Sequence, residues 1–158
     1  MLSAGDIAPD FDLPALAAGV RKRFCLRERR GSQNIVLAFY PYNWDTVSAD
    51  QIVAYQVERE RLLARHAEVV GISVESIMNS TVWEREIGPL DFFLGSDFWP
   101  HGEVSRAYGV LHEDGSSQRA VFVIDRDGII AFSRTYPSRE VPDMRDTLEV
   151  LAHLQHAA

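Results

Sequence analysis

Asn34-Ile-Val-Leu-Ala-Phe-Tyr-Pro41, running on into Tyr42-Asn-Trp-Asp-Thr-Val-Ser-Ala-Asp-Gln51, is the stretch that decides the architecture. Residues 34–40 are apolar almost throughout, as expected of a strand covered on both faces. Pro41 ends it, having no N–H to give to a ladder. A short polar loop follows, and a helix is predicted from near Val47 to residue 65. Ile52, Tyr55, Leu62 and Leu63 fall on one side of that helix, while Glu58, Arg59, Glu60 and Arg61 fill much of the remainder. Ala67-Glu-Val-Val-Gly-Ile-Ser-Val74 is the next buried strand. Strand, helix and strand in this order make a βαβ unit with a right-handed crossover.

Working outward, residues 5–33 form an N-terminal extension. Phe11 and Leu13 alternate with Asp10 and Asp12, which suggests an edge strand limited by Pro9 and Pro14, followed by a hairpin reaching Gly31. Downstream, a helix is predicted over 77–87, ended by Gly88-Pro89, then a brief strand at 92–94 and a short helix at 102–108. Arg119-Ala-Val-Phe-Val-Ile-Asp125 and Ile129-Ile-Ala-Phe-Ser133 flank Arg126-Asp-Gly128, a hairpin signal. A final helix over 140–155 places Val141, Met144, Leu148 and Leu151 at spacings of three and four. The whole predicts one α/β domain over residues 1–158, in three layers α/β/α around a central mixed sheet.

The 158 residues are 46% hydrophobic and 25% charged, which suits a globular chain with a substantial core. A net charge of −7 works against a general nucleic-acid or anionic-membrane role. No apolar run approaches the roughly 18 residues of a membrane span. The opening Met-Leu-Ser-Ala-Gly-Asp has neither a basic leader nor an apolar signal core, so a cytoplasmic location is expected. The one cysteine, Cys25, lies in Arg23-Phe-Cys-Leu-Arg27 and reads as a small buried apolar residue. Arg23 and Arg27 beside it keep a reactive thiol as the minority alternative. Arg21, Lys22, Arg23, Arg27, Arg29 and Arg30 hold six of the sixteen basic residues and read as a solvated hairpin face, with a docking patch for an acidic partner as the alternative.

Other chemistries find little support. There is no Cys-x-x-Cys, and His153 and His156 stand three apart only near the C-terminus, so no metal is expected. Glycine-rich nucleotide loops are absent, and no cofactor is implied. A serine nucleophile elbow needs glycine two residues to either side, where Ser48 has Thr46 and Asp50. Trp44 is the best of the three tryptophans for a ligand contact because it lies in the loop; Trp83 and Trp99 suit core or interface.

Several of these segments, in order, resemble the peroxiredoxins of the AhpC/TSA family. Gly5-Asp-Ile-Ala-Pro-Asp-Phe-Asp-Leu-Pro14 is similar to the family's opening. Val69-Val-Gly-Ile-Ser-Val74 resembles its second core strand, and Ser105-Arg-Ala-Tyr-Gly-Val110 the helix end before its later strands. Arg119-Ala-Val-Phe-Val-Ile-Asp125 resembles the strand that carries its active-site arginine. Phe-Tyr-Pro followed by Trp44 and Asp50-Gln51 is most similar to the one-cysteine AhpE-like branch. The resemblance implies a thioredoxin-like fold and a lineage that reduces hydrogen peroxide and alkyl hydroperoxides. Its members draw electrons from a thioredoxin-like dithiol or a low-molecular-weight thiol, and a homodimer is expected.

The family signature is a proline, three residues, Thr or Ser, two residues, then the peroxidatic cysteine. Here that series reads Pro41, Asp45 and Ser48, with Arg119 matching the family's arginine. The resemblance makes Pro41, Asp45, Ser48 and Arg119 the catalytic set, with Val47 and Trp44 in the substrate pocket. It also makes the backbone N–H groups of Val47 and Ser48 the oxyanion donors. A helix N-terminus and an arginine lower a thiol pKa from about 8.5 into the range 3.5–7.5. A serine hydroxyl stays protonated there, and its oxygen cannot take the sulfenic acid step. Thiol peroxidase activity is therefore not expected. Asp45 reads either as a helix N-cap or as an internal partner of Arg119. Two departures at one site favour natural loss, which makes the chain a non-catalytic binding or regulatory relative; the alternative is a single Cys→Ser exchange in an antioxidant enzyme.

Overall fold

A computed structural model describes residues 1–157 of the chain. The strands are β1 (Asp12–Ala17), β2 (Val20–Cys25), β3 (Asn34–Phe39), β4 (Ala67–Ser73), β5 (Phe93–Ser96), β6 (Arg119–Ile124) and β7 (Ile130–Tyr136). The helices are α1 (Thr46–Val57), α2 (Arg59–Ala64), α3 (Ile77–Ile87), α4 (Glu103–Ala107) and α5 (Met144–Ala157), with one 3-10 turn over Leu26–Arg29. The described strands make a single sheet in the order β2-β1-β5-β4-β3-β6-β7. β3, β4 and β5 run parallel, while β6, β7 and the β1–β2 hairpin join antiparallel. This mixed sheet between helical layers is the thioredoxin-like α/β arrangement.

Period-two alternation divides the core. Ile35, Leu37 and Phe39 of β3 join Ala120, Phe122 and Ile124 of β6 on one face; Val36, Ala38, Val121 and Val123 point to the other. The first face is covered by α4 and the N-terminal segment. There Tyr108 packs 5.7 Å from Phe39 and 5.2 Å from Phe122, ring centre to ring centre, and its hydroxyl donates to the Pro9 carbonyl at 2.7 Å. The second face is covered by α1, α2, α3 and α5 through Ile52, Tyr55, Leu62, Trp83 and Leu151. Gly71 lies under α1, where a Cβ would fall 3.0 Å from the Ile52 Cδ1 and 2.9 Å from the Leu94 Cδ2.

Four details differ from the sequence reading. The helix expected over 47–65 is interrupted at Glu58 (φ −92°, ψ 10°), so α2 is turned relative to α1. Leu62 therefore faces the core, while Leu63 is 46% exposed. β1 is not an edge strand, since its second half pairs with β5 as well as β2. Pro14 is tolerated because β5 pairing begins only at Ala15, leaving its missing donor on an unpaired side. β2 is the margin of the sheet on this side, as β7 is on the other, with Arg21, Lys22 and Arg23 exposed along β2. The last helix begins at Met144 rather than 140, because Pro142 disfavours helical backbone at Val141. Asp143 Oδ1 instead accepts the Arg145 N–H at 2.9 Å and caps the helix start.

Cys25 is buried at the end of β2, and no helix among the described residues is long and apolar enough to cross a membrane. Trp83 is 1% exposed and stacks on Tyr40 with ring centres 5.4 Å apart. Trp83→Ala is expected to lower unfolding stability by about 3–5 kcal/mol, read as a drop in the urea midpoint with an unchanged slope.

Candidate active site

The site forms where the C-terminal end of β3, the first turn of α1, the first residue of β6 and the segment after β7 converge. Pro41 stops β3, and Asn43 fastens the loop that follows. Its side chain accepts from the Tyr40 hydroxyl at 2.9 Å and donates to Asn79 Oδ1 and Ser80 Oγ, both at 3.0 Å. Its backbone N–H donates to Glu75 Oε1 at 3.2 Å. These bonds tie the loop to α3 and aim the start of α1 at β6.

Asp45 is the N-cap of α1 and the charge partner of Arg119 at once, so both alternatives hold. Asp45 Oδ2 accepts from the Ser48 N–H at 3.0 Å, from the Ser48 hydroxyl at 2.9 Å and from Arg119 Nη2 at 3.1 Å. Burial opposes the charged carboxylate, but the Ser48 and Arg119 hydrogen bonds outweigh it and hold Asp45 below the usual carboxylate range. The Ser48 N–H, expected as an oxyanion donor, is thus already engaged.

Arg119 stands at the start of β6 with no exposed side-chain surface. Nε and Nη2 both donate to the Ser138 carbonyl, at 3.2 and 2.8 Å. Nη1 donates to Ser48 Oγ at 3.1 Å and to Gln51 Oε1 at 2.8 Å, and Nη2 to Asp45. A guanidinium has five N–H donors. These five bonds use all of them. Burial pulls the Arg119 pKa down while Asp45 pushes it up, and an arginine in that position stays charged. Burial also pushes the neighbouring Tyr55 phenol up to about 12, so it adds no second anion.

In front of this cluster opens a hollow of about 600 Å³, lined by Pro41, Asp45, Arg119, Asp114, Tyr136 and Ser138 among others. Trp44 and Val47 do not line it. Trp44 is 53% exposed with φ +66°, and its indole N–H donates to Asn79 Oδ1 at 2.9 Å, which turns the ring toward α3. Ser48 is fully buried behind Asp45. Four of the six expected site residues therefore come together. Gln51 and Ser138 complete the cluster without having been assigned roles. Gln51 lies three residues beyond Ser48 on the same face of α1, a spacing that could have marked it. Ser138 acts through its carbonyl, which no side-chain pattern reports. No group of three or more His, Cys, Asp or Glu suited to a metal occurs among the described residues.

A family model described as AhpC/TSA matches residues 4–133. The chain belongs to the AhpC/TSA family. Alkyl hydroperoxide reductase E of Mycobacterium tuberculosis (strain ATCC 25618 / H37Rv) is 35% identical over 155 residues, covering 98% of this chain and 99% of that protein. Among solved structures, reduced 2-Cys peroxiredoxin of Plasmodium vivax superposes with a TM-score of 0.93 at 25% identity, covering 99% of this chain and 83% of the other. Mycobacterium tuberculosis AhpC superposes at 0.89 and 26%, covering 99% and 95%. The matched residues run from the N-terminal segment through β1 to β6 and into β7.

Removing the carboxylate would leave a buried guanidinium without its counter-charge. Asp45→Ala is expected to cost about 2–3 kcal/mol, the low end for a broken buried pair because Asp45 keeps 35% of its side-chain surface exposed. The folded pKa of Asp45 lies below its unfolded value of about 3.9. Its stabilisation is therefore complete above that unfolded value and lost as pH falls through the lower folded one. Urea midpoints measured between about pH 7 and pH 2.5 should fall less steeply below about pH 4 for Asp45→Asn than for the wild type.

Proposed function

We propose that this chain is a non-peroxidase member of its family, with Ser48 standing where relatives carry the peroxidatic thiol and Asp45 occupying the anion site from within. One observation carries this reading: every N–H of Arg119 is already taken by Asp45, Ser48, Gln51 and Ser138. A peroxide needs donors for its leaving oxygen and a nucleophile that ionises near neutral pH. Here no guanidinium donor is spare, and a serine hydroxyl is the group available. The lineage activity, reduction of hydrogen peroxide and alkyl hydroperoxides at the expense of a thioredoxin-like dithiol or small thiol, is absent from the chain as it stands. A binding or regulatory role in the cytoplasm, using the polar hollow beside Asp45, takes its place.

In an active relative's chemistry the thiolate attacks one peroxide oxygen, the S–O bond forms as O–O breaks, and the departing alkoxide takes a proton. Ser48→Cys would supply the sulfur, yet Asp45 would oppose its ionisation and keep Arg119 engaged. With dithiothreitol as electron donor, the wild type is expected to consume peroxide no faster than the donor alone. Ser48→Cys should remain slow, and Ser48→Cys with Asp45→Thr should be faster by at least tenfold. Equal rates for the single and double variants would remove the role given to Asp45. Rapid wild-type turnover that disappears in Cys25→Ser would overturn the whole reading.

The second part of the reading is a homodimer. Tyr42, Trp44, Phe98 and Trp99 are 47%, 53%, 51% and 80% exposed, four large aromatic side chains on loops. Gel filtration with light scattering at micromolar concentration should give twice the 17.8 kDa chain mass. A strict monomer would exclude the dimer.

A further inference from the structure

A second hollow, about 240 Å³ in volume, opens at the opposite end of β3 and β6 from Arg119. Its lining includes Ile35 at the start of β3 and Ile124 at the end of β6, whereas the site hollow touches Pro41 and Arg119 at the other ends. Six residues of strand separate the two, about 20 Å at about 3.3 Å per residue. The floor is apolar: Ala8, Leu26, Ile35 and Ile124 are 4%, 8%, 2% and 1% exposed and belong to one core cluster.

The mouth carries Arg27, Arg29 and Arg30 with Asp10 and Asp125, and these charges are not equivalent. Arg29 sits 3.0 Å from Glu68 and lies over the rings of Phe24 and Phe93 at 5.1 and 5.4 Å. Arg27 Nη1 lies 3.7 Å from Asp10, whose other oxygen accepts the Arg27 N–H at 3.0 Å. Asp125 Oδ1 belongs to the β6–β7 turn, accepting the N–H groups of Asp127 at 2.9 Å and Ile129 at 3.0 Å. Arg30 differs from the other two arginines. Among the described residues it has no carboxylate oxygen within 4.0 Å.

The Arg30 side chain is exposed, and its guanidinium lies against the backbone at Gly128. Gly128 has φ +81°, and a Cβ there would fall 2.7 Å from Arg30 Nε and 2.9 Å from Cζ. The guanidinium thus occupies the space that a side chain at 128 would fill. A planar cation without a counter-charge, at the mouth of an apolar hollow, matches an amphiphilic anion. The geometry points to a binding site for a small apolar carboxylate, with its hydrocarbon body on the Ala8–Leu26–Ile35–Ile124 floor and its carboxylate paired with Arg30. The volume falls below the range of about 300–1,000 Å³ usual for drug-sized ligands, which restricts the occupant to a short chain.

This site does not depend on the state of Ser48, so its test is separate from that of the proposed function. Hexanoate is the probe, titrated into the full chain while methyl groups are followed by NMR; acetate and hexan-1-ol serve as the head-only and tail-only arms. Hexanoate should shift Leu26, Ile35 and Ile124 methyls saturably and leave Ile52 unmoved, with acetate and hexan-1-ol at least tenfold weaker. Arg30→Gln should weaken hexanoate about tenfold, as expected for loss of a charge-assisted bond. Arg30→Lys, which keeps the charge without the planar fork, should bind severalfold more weakly than wild type and carries the comparison if Arg30→Gln does not fold. Unmoved Ile35 and Ile124 methyls at millimolar hexanoate would overturn the proposal. So would hexan-1-ol binding as tightly as hexanoate, or undiminished affinity in the Arg30 variants.

Discussion

A guanidinium with no solvent-exposed surface must be neutralised and fully hydrogen-bonded where it stands, and the Arg119–Asp45 pair meets that demand. The requirement reaches into three parts of the chain. β6 supplies the cation, the first turns of α1 supply Asp45, Ser48 and Gln51, and the segment after β7 supplies the Ser138 carbonyl. Asp45 also caps α1, so a single carboxylate sets where the helix begins and satisfies a charge from the sheet. Loss of either function would disturb the other, which ties the local order of the α1 start to the interior electrostatics.

The same arrangement decides what the site can do. All five guanidinium donors are spent on the protein, so a molecule entering the hollow meets Arg119 only by displacing one of these partners. The family fold is retained, and within it the hydrogen bonds of Arg119 all turn inward to the protein. Stability and reactivity compete here for the same few N–H groups.

Much of this was legible in the sequence because it rests on short-range patterning. The uninterrupted apolar run at 34–40 and the hairpin of 119–125 and 129–133 about Arg126-Asp-Gly128 each follow from local patterning and turn chemistry. So did the convergence of Pro41, Asp45, Ser48 and Arg119, once the family likeness aligned distant segments. What escaped depends on three-dimensional neighbours. The turn at Glu58 rotates Leu63 outward, and nothing in the spacing of apolar residues marks it. Pro14 looked like an edge marker because its missing donor matters only on the side facing β5, where pairing has not yet begun. Trp44 adopts a left-handed backbone and bonds Asn79, a partner thirty-five residues away, so its direction was beyond local inference. Ser138 contributes main-chain oxygen alone, which composition cannot signal.

The margin formed by β2 has a consequence for how copies of this chain meet. A free strand border is a template on which another extended segment can add, and here that border displays Arg21, Lys22 and Arg23 to solvent. Two such borders brought together would set Arg21 and Lys22 of one copy against the like charges of the other, with only Arg23 neutralised, by Asp12 at 2.8 Å. Runaway lateral polymerisation of the sheet is thereby discouraged from this side, even at high protein concentration.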